Sequence, residues 1–180
     1  PTVYFYNCAF KYGSSNGLNN VGADTYAQYC LAARNLADGF HYAEKATGVR
    51  QAHFVEIECV GRHNGANVTH IDNGSTSHNA GLGIRLACMY FGNYGRNLHD
   101  VGSGKSWNIG CWSHDSADGT NDVDVACGVG GSDTQTMWLD FCRTGGSTYD
   151  LEAAAGCTIY RRNCTLGTGS NTGAGTIAAY

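Results

Sequence analysis

The stretch Trp107-Asn-Ile-Gly-Cys-Trp-Ser-His-Asp-Ser-Ala-Asp-Gly119 reads as a short strand followed by a polar corner. Trp107, Ile109 and Cys111 fall at alternate positions, the period of a strand with one buried face. The pattern recurs in Val55-Glu-Ile-Glu-Cys-Val-Gly-Arg-His-Asn-Gly65, in Ile84-Arg-Leu-Ala-Cys-Met-Tyr-Phe-Gly92 and in Tyr4-Phe-Tyr-Asn-Cys-Ala-Phe-Lys-Tyr-Gly13. Each copy carries apolar residues and a cysteine, then a turn rich in Gly, Asn, Asp or Ser.

The cysteines set the period. Cys8, Cys30, Cys59, Cys88, Cys111, Cys142 and Cys164 are separated by 22, 29, 29, 23, 31 and 22 residues. A unit of 22 residues with an insertion in some copies explains both spacings, and repeats of this size make solenoids. Leucine-rich spacing is absent, so the expected fold is all-β: a β-solenoid of about six coils, each about 22–31 residues, which the resemblance described below narrows to a right-handed single-stranded parallel β-helix. Stacked at strand spacing, six coils make a rod about 29 Å long. Residues 1–166 form the solenoid in this reading, and residues 167–180 a Gly-rich tail with a possible terminal strand at Thr176–Tyr180. Residues 23–37 suit either a helix capped by Asp24 or a strand, since Tyr26, Gln28 and Cys30 match the other copies. A second strand lies midway through each unit, at Phe40–Ala43, Val123–Cys127 and Leu151–Cys157.

The strand ends Asn7-Cys8, Gly110-Cys111 and Asn163-Cys164, the Ala-Asp-Gly corners at 37–39 and 117–119, and the strands at 55–59, 84–88 and 107–111 together resemble the right-handed parallel β-helix of pectate-lyase-like proteins. More narrowly, they resemble the β-helical bodies of bacteriophage tailspikes and tail fibres, over residues 3 to 166. That resemblance implies a homotrimer on a virion tail, made in the bacterial cytoplasm, that binds or cuts bacterial surface polysaccharide.

Composition narrows the alternatives. The 180 residues include 26 Gly, one Pro and nine Cys, with a formal charge of −4. Without a basic run, nucleic acid is not an expected partner. No apolar run reaches membrane-span length, so no membrane insertion is expected. No signal peptide is visible, and the chain opens inside what reads as a strand, as a piece of a longer protein would. No CxxC occurs, and the cysteines sit in apolar strands, so they are expected as buried thiols rather than zinc ligands or disulfides.

Alternation sorts the strands. Val55, Ile57, Cys59, Ile84, Leu86, Cys88, Trp107, Ile109 and Cys111 are expected inside and Glu56, Glu58, Arg85 and Asn108 outside, with Glu56, Arg85 and Asn108 as an exposed polar row across coils. The copy at 137–142 disagrees. There Met137, Leu139 and Phe141 look inward, which turns Cys142 outward or requires a bulge, and Asp140 projects near the row.

Three sites follow from this sorting. Glu56 and Glu58, on one strand face about 7 Å apart, suit the acid and base of a glycosidase. The alternative is a solvated face with a Glu56–Arg85 pair worth under about 1 kcal/mol. The corner after each cysteine gathers Lys11, Arg34, Arg62, His63, His114, Asp115 and Arg143. Its arginines suit the carboxylates of an acidic glycan, and His114 with Asp115 suits proton transfer if the corner bends between them. Otherwise this is ordinary polar corner chemistry. The segment 63–78 holds three His and one Asp, but its spacings match no zinc pattern and it reads as a loop; His99-Asp100 sits on another corner. Trp112, Tyr90, Tyr94, Tyr149 and Trp138 serve as sugar platforms or as core fillers.

The expected function is recognition of bacterial surface polysaccharide, with Arg62, His63, Arg85, Trp112, Asp140 and Arg143 touching sugar. The alternatives are a depolymerase using Glu56, Glu58, His114 and Asp115, or a structural spacer of a fibre. No cofactor and no metal are expected.

Overall fold

The computed structural model describes residues 1–45, 52–65, 72–116, 123–128, 132–167 and 169–180, and among them there is no helix. The first sheet has eight strands: Thr2–Tyr6, Asp24–Gln28, His53–Ile57, Leu82–Leu86, Lys105–Ile109, Thr136–Asp140, Thr158–Arg162 and Thr176–Ala179. The second has six: Ala9–Lys11, Leu31–Ala33, Val60–Arg62, Met89–Phe91, Trp112–His114 and Arg143–Gly145. The third has seven: Leu18–Val21, Phe40–Ala43, Ser75–His78, Leu98–Val101, Val123–Cys127, Tyr149–Ala153 and Ser170–Thr172. The chain visits the sheets in rotation, and every pairing is parallel and joins one coil to the next. This is a three-sided parallel β-helix.

Residues 23–37 are strands, Asp24–Gln28 and Leu31–Ala33. The polar corner expected after each cysteine contains a three-residue strand of the second sheet. Ser75–His78 and Leu98–Val101 are strands of the third sheet rather than a loop and a corner. The corner at 117–119 and His70 of the 63–78 segment lie outside the described residues. Beyond residue 166, Ser170–Thr172 and Thr176–Ala179 extend the third and first sheets.

Left-handed residues make the corners. Asn7, Tyr29, Glu58, Ala87, Gly110, Phe141 and Asn163, each just before a register cysteine, have φ between 49° and 63°. After the second sheet, Tyr12, Arg34, His63, Gly92, Asp115 and Gly146 are also left-handed, with φ between 52° and 87°. One residue in this conformation turns the chain and resets the alternation of side chains. The residue three before the cysteine and the cysteine itself therefore both face inward.

This resetting corrects the expected sorting. Glu56, Arg85 and Asn108 are fully buried, whereas Val55, Ile57, Ile84, Leu86, Trp107 and Ile109 face outward with partial or greater exposure. The discordant copy carried the true register: Met137, Leu139 and Cys142 are inside, and Phe141 is 61% exposed on the corner. All nine cysteines are free thiols, seven of them buried. Thiols of the register lie against carbonyls one coil back, Cys59 on Ala27, Cys111 on Arg85 and Cys142 on Asn108, at 3.3, 3.4 and 3.1 Å.

A second internal column is asparagine. Asn35, Asn64 and Asn93 follow the second corner; Asn35 Nδ2 donates to Asn64 Oδ1 and Asn64 Nδ2 to Asn93 Oδ1, both at 2.9 Å. Asn93 passes the chain to Asn97 at 2.8 Å, and Asn97 to Asp124 at 3.1 Å. Each amide also caps a buried carbonyl, so polar groups at a sharp bend stay paired without water.

Candidate functional site

The outer face of the second sheet is where the expected site residues meet. Its strands are three residues long, so the middle one points in: Gly61, Tyr90, Ser113 and Thr144 are buried. The flanking residues form two outward rows. One runs Val60, Met89, Trp112, Arg143, and the other Arg62, Phe91, His114, Gly145. The corner column beside them holds His63, Gly92, Asp115 and Gly146. Arg62, His63, Trp112, His114, Asp115 and Arg143 thus share one face, within about 14 Å along the rod by strand spacing.

Aromatic contacts tie this face together. Phe91 and His114 stack at 5.1 Å and 7°, and the ring of Trp112 lies 4.4 Å from that of His114. His63 meets Phe91 edge-on at 5.5 Å, and the Arg62 guanidinium sits 5.9 Å over Phe91. Trp112 remains 42% exposed. His114 Nδ1 lies 2.7 Å from Asp115 Oδ2, and the corner does bend between them, at the Asp115 φ of 52°. Glycines on the next coil make room for the corner side chains. A Cβ on Gly146 would lie 1.8 Å from Asp115 Oδ1, and one on Gly92 would lie 2.7 Å from His63 Nδ1. The face therefore offers a half-exposed indole, two guanidinium groups, and an exposed carboxylate hydrogen-bonded to an imidazole. Such a set can stack on a sugar ring and fork onto its acidic groups. Phe91, which alternation did not single out, is the central ring.

The remaining expected residues go elsewhere. Glu58 is exposed on the first corner, while Glu56 is sealed inside, so the two do not share a face as an acid–base pair. Asp140 lies on the outer face of the first sheet, paired with Arg162, whose Nε donates to Asp140 Oδ1 at 3.2 Å; that hydrogen bond lowers the Asp140 pKa. Tyr90 is buried, and Trp138 is stacked between Trp107 and Tyr160 at 4.4 and 5.7 Å. Its ring faces are occupied, which removes both Tyr90 and Trp138 as sugar platforms.

No family model, curated protein or solved structure matches this chain.

Arg85 is not a surface residue but the centre of an internal network. Its NH2 and NH1 groups donate to Asp100 Oδ1 and Oδ2 at 2.9 and 3.1 Å, and its Nε donates to Ser75 Oγ at 3.0 Å. Ser75 and Tyr90 donate to the two Glu56 oxygens at 2.6 Å each, and Ser77 and Ser106 donate to Asp100 at 2.7 and 2.5 Å. One buried cation thus faces two carboxyl groups. Asp100 holds the fork: burial raises its pKa, but Arg85 and the hydroxyl donors leave it below the usual carboxylate range. Glu56, 3.6 Å from Arg85 Nε, is pushed by burial up to about 7. This arrangement binds coils together and is closed to ligand.

Proposed function

We propose that this chain is a carbohydrate-recognising β-helical module of the tailspike type, which binds an acidic bacterial surface polysaccharide across the outer face of its second sheet. The observation that carries the reading is the convergence of Trp112, Phe91 and His114 with Arg62 and Arg143 on a rigid face with half of the indole open. A stacked strand face holds its side chains at a fixed repeat, which suits a polymer with a repeat of its own. The apolar outer face of the first sheet, with Ile84, Trp107, Ile109 and Trp138 in adjoining rows, favours packing against further copies, as in a homotrimer.

The test is binding to a panel of purified capsular and O-antigen polysaccharides by calorimetry. Wild type binds at least one acidic polymer; Trp112→Ala and Arg143→Ala weaken it by about tenfold or more each, while folding is unchanged. Binding to none of the panel would leave the spacer reading. The His114–Asp115 pair favours the depolymerase as the second reading. Its mark is release of oligosaccharide from a bound polymer, abolished in Asp115→Asn while binding persists. Glu58 is the other accessible carboxyl group of those expected to be catalytic.

A further inference from the structure

On the third sheet, away from the proposed glycan face, Asp38, His41 and His78 come together. One ligating atom from each lies within 4.8 Å of the others. His41 Nδ1 is 2.8 Å from Asp38 Oδ2, and the His41 and His78 rings stack at 5.0 Å. The residues come from successive coils, since Ala43, two positions after His41, is the register partner of His78. The carboxylate is already oriented. Asn73 donates its backbone N–H and its Nδ2 to Asp38 Oδ1 at 2.8 and 2.9 Å, which leaves Oδ2 to the imidazoles. Thr76, the register partner of His41, is fully buried with a hydroxyl that has no hydrogen-bond partner.

We propose that Asp38, His41 and His78 form a binding site for a first-row divalent transition metal of the Zn²⁺ class. Two imidazoles and one carboxylate form a donor set of borderline softness, which suits Zn²⁺ better than Ca²⁺ or Mg²⁺. Tetrahedral bonds of about 2.0–2.1 Å place ligand atoms about 3.3 Å apart, so small ring rotations close the site and leave a fourth position for water. Asn73 is the positioning residue behind the carboxylate. The ion would clip the second coil to the third.

The nine thiols are the competing ligands, so the test must separate them from this cluster. Reduced protein is titrated with ZnCl₂ by calorimetry, and with Co²⁺ as a spectroscopic probe. The expected result is one Zn²⁺ per chain, a melting temperature higher with Zn²⁺ than with EDTA, and Co²⁺ bands without thiolate charge transfer. His78→Ala, His78→Gln and Asp38→Asn weaken Zn²⁺ by about tenfold or more while melting unchanged in EDTA. Absence of Zn²⁺ binding, unchanged affinity in folded variants, or a thiolate charge-transfer band overturns the proposal.

Discussion

Arg85 and Asp100, fifteen residues apart in the chain, face each other inside the rod in a two-pronged pair at 2.9 and 3.1 Å, both without solvent exposure. A guanidinium can stay charged there because the fork, Ser75 and Asn108 together take up four of its five N–H donors. Breaking such a pair leaves a lone buried charge, which costs about 3–5 kcal/mol. Arg85→Met and Asp100→Asn are each expected to lose that much stability in urea denaturation. A loss under about 1 kcal/mol would mean that the pair is reached by water.

The Glu56 carboxyl gives the network a pH signature. Its pKa rises from 4.5 to about 7 in the folded state, chiefly through burial and against the pull of Arg85. The folded state holds this proton more tightly than the unfolded chain. The contribution is therefore fully present below about pH 4.5 and lost as pH rises to 7, a change of about 3 kcal/mol. Asp124, raised by burial to about 7, acts in the same sense. His99, lowered by burial from 6.5 to about 3, acts oppositely: its contribution grows as pH rises over that interval. The wild-type profile mixes these terms, and Glu56→Gln removes one of them. The stability of Glu56→Gln minus that of wild type should climb by about 3 kcal/mol between pH 4.5 and pH 7.5. A flat difference in urea titrations sinks the assignment.

The cysteine period made the solenoid legible, because one small buried residue per coil is a constraint that composition cannot hide. The faces were not legible by alternation alone. A left-handed residue before each cysteine shifts the parity, and Tyr29, Glu58, Ala87 and Phe141 are not residue types that announce that conformation. Only the copy with Leu139 and Phe141 exposed the conflict, since both could not be inside with Cys142. Glu56, Arg85 and Asn108 then looked like surface residues because a Glu, an Arg and an Asn in one row at the core are rare. Asn35, Asn64 and Asn93 recur at the cysteine spacing of 29 and were a readable signal that the cysteines eclipsed. The corner cluster at Arg62, His63, Trp112, His114, Asp115 and Arg143 was legible because its residues all fall one to four positions past a register cysteine. It did not depend on which way the strands faced.

The corner conformation can be tested directly. Gly110 has φ 63° and nothing within 4 Å of an added Cβ, so Gly110→Ala probes the backbone alone. Ala87, on the same column with φ 52°, is the reverse experiment. A left-handed L-residue costs roughly 1–2 kcal/mol, offset in part by the lower entropy of an unfolded chain with Ala in place of Gly. Gly110→Ala should lose about 1 kcal/mol and Ala87→Gly gain up to about that amount in thermal or urea denaturation. If both changes destabilise, the corner is held by something other than backbone strain.

Gly146 adds a functional consequence to the same chemistry. Its φ is 87°, and a Cβ there would lie 1.8 Å from Asp115 Oδ1, so Gly146→Ala combines strain with expulsion of the Asp115 carboxylate. Gly110→Ala supplies the strain-only control on a neighbouring corner. Gly146→Ala should therefore lose more stability than Gly110→Ala. It should also disturb the imidazole of His114, whose Nδ1 lies 2.7 Å from Asp115 Oδ2. The His114 ring resonances in NMR should therefore move in Gly146→Ala and stay unchanged in Gly110→Ala. A polysaccharide that uses this corner would lose affinity for the first variant and keep it for the second. Equal binding by both would place the contact on Trp112 and the arginines alone, with Asp115 as a spectator.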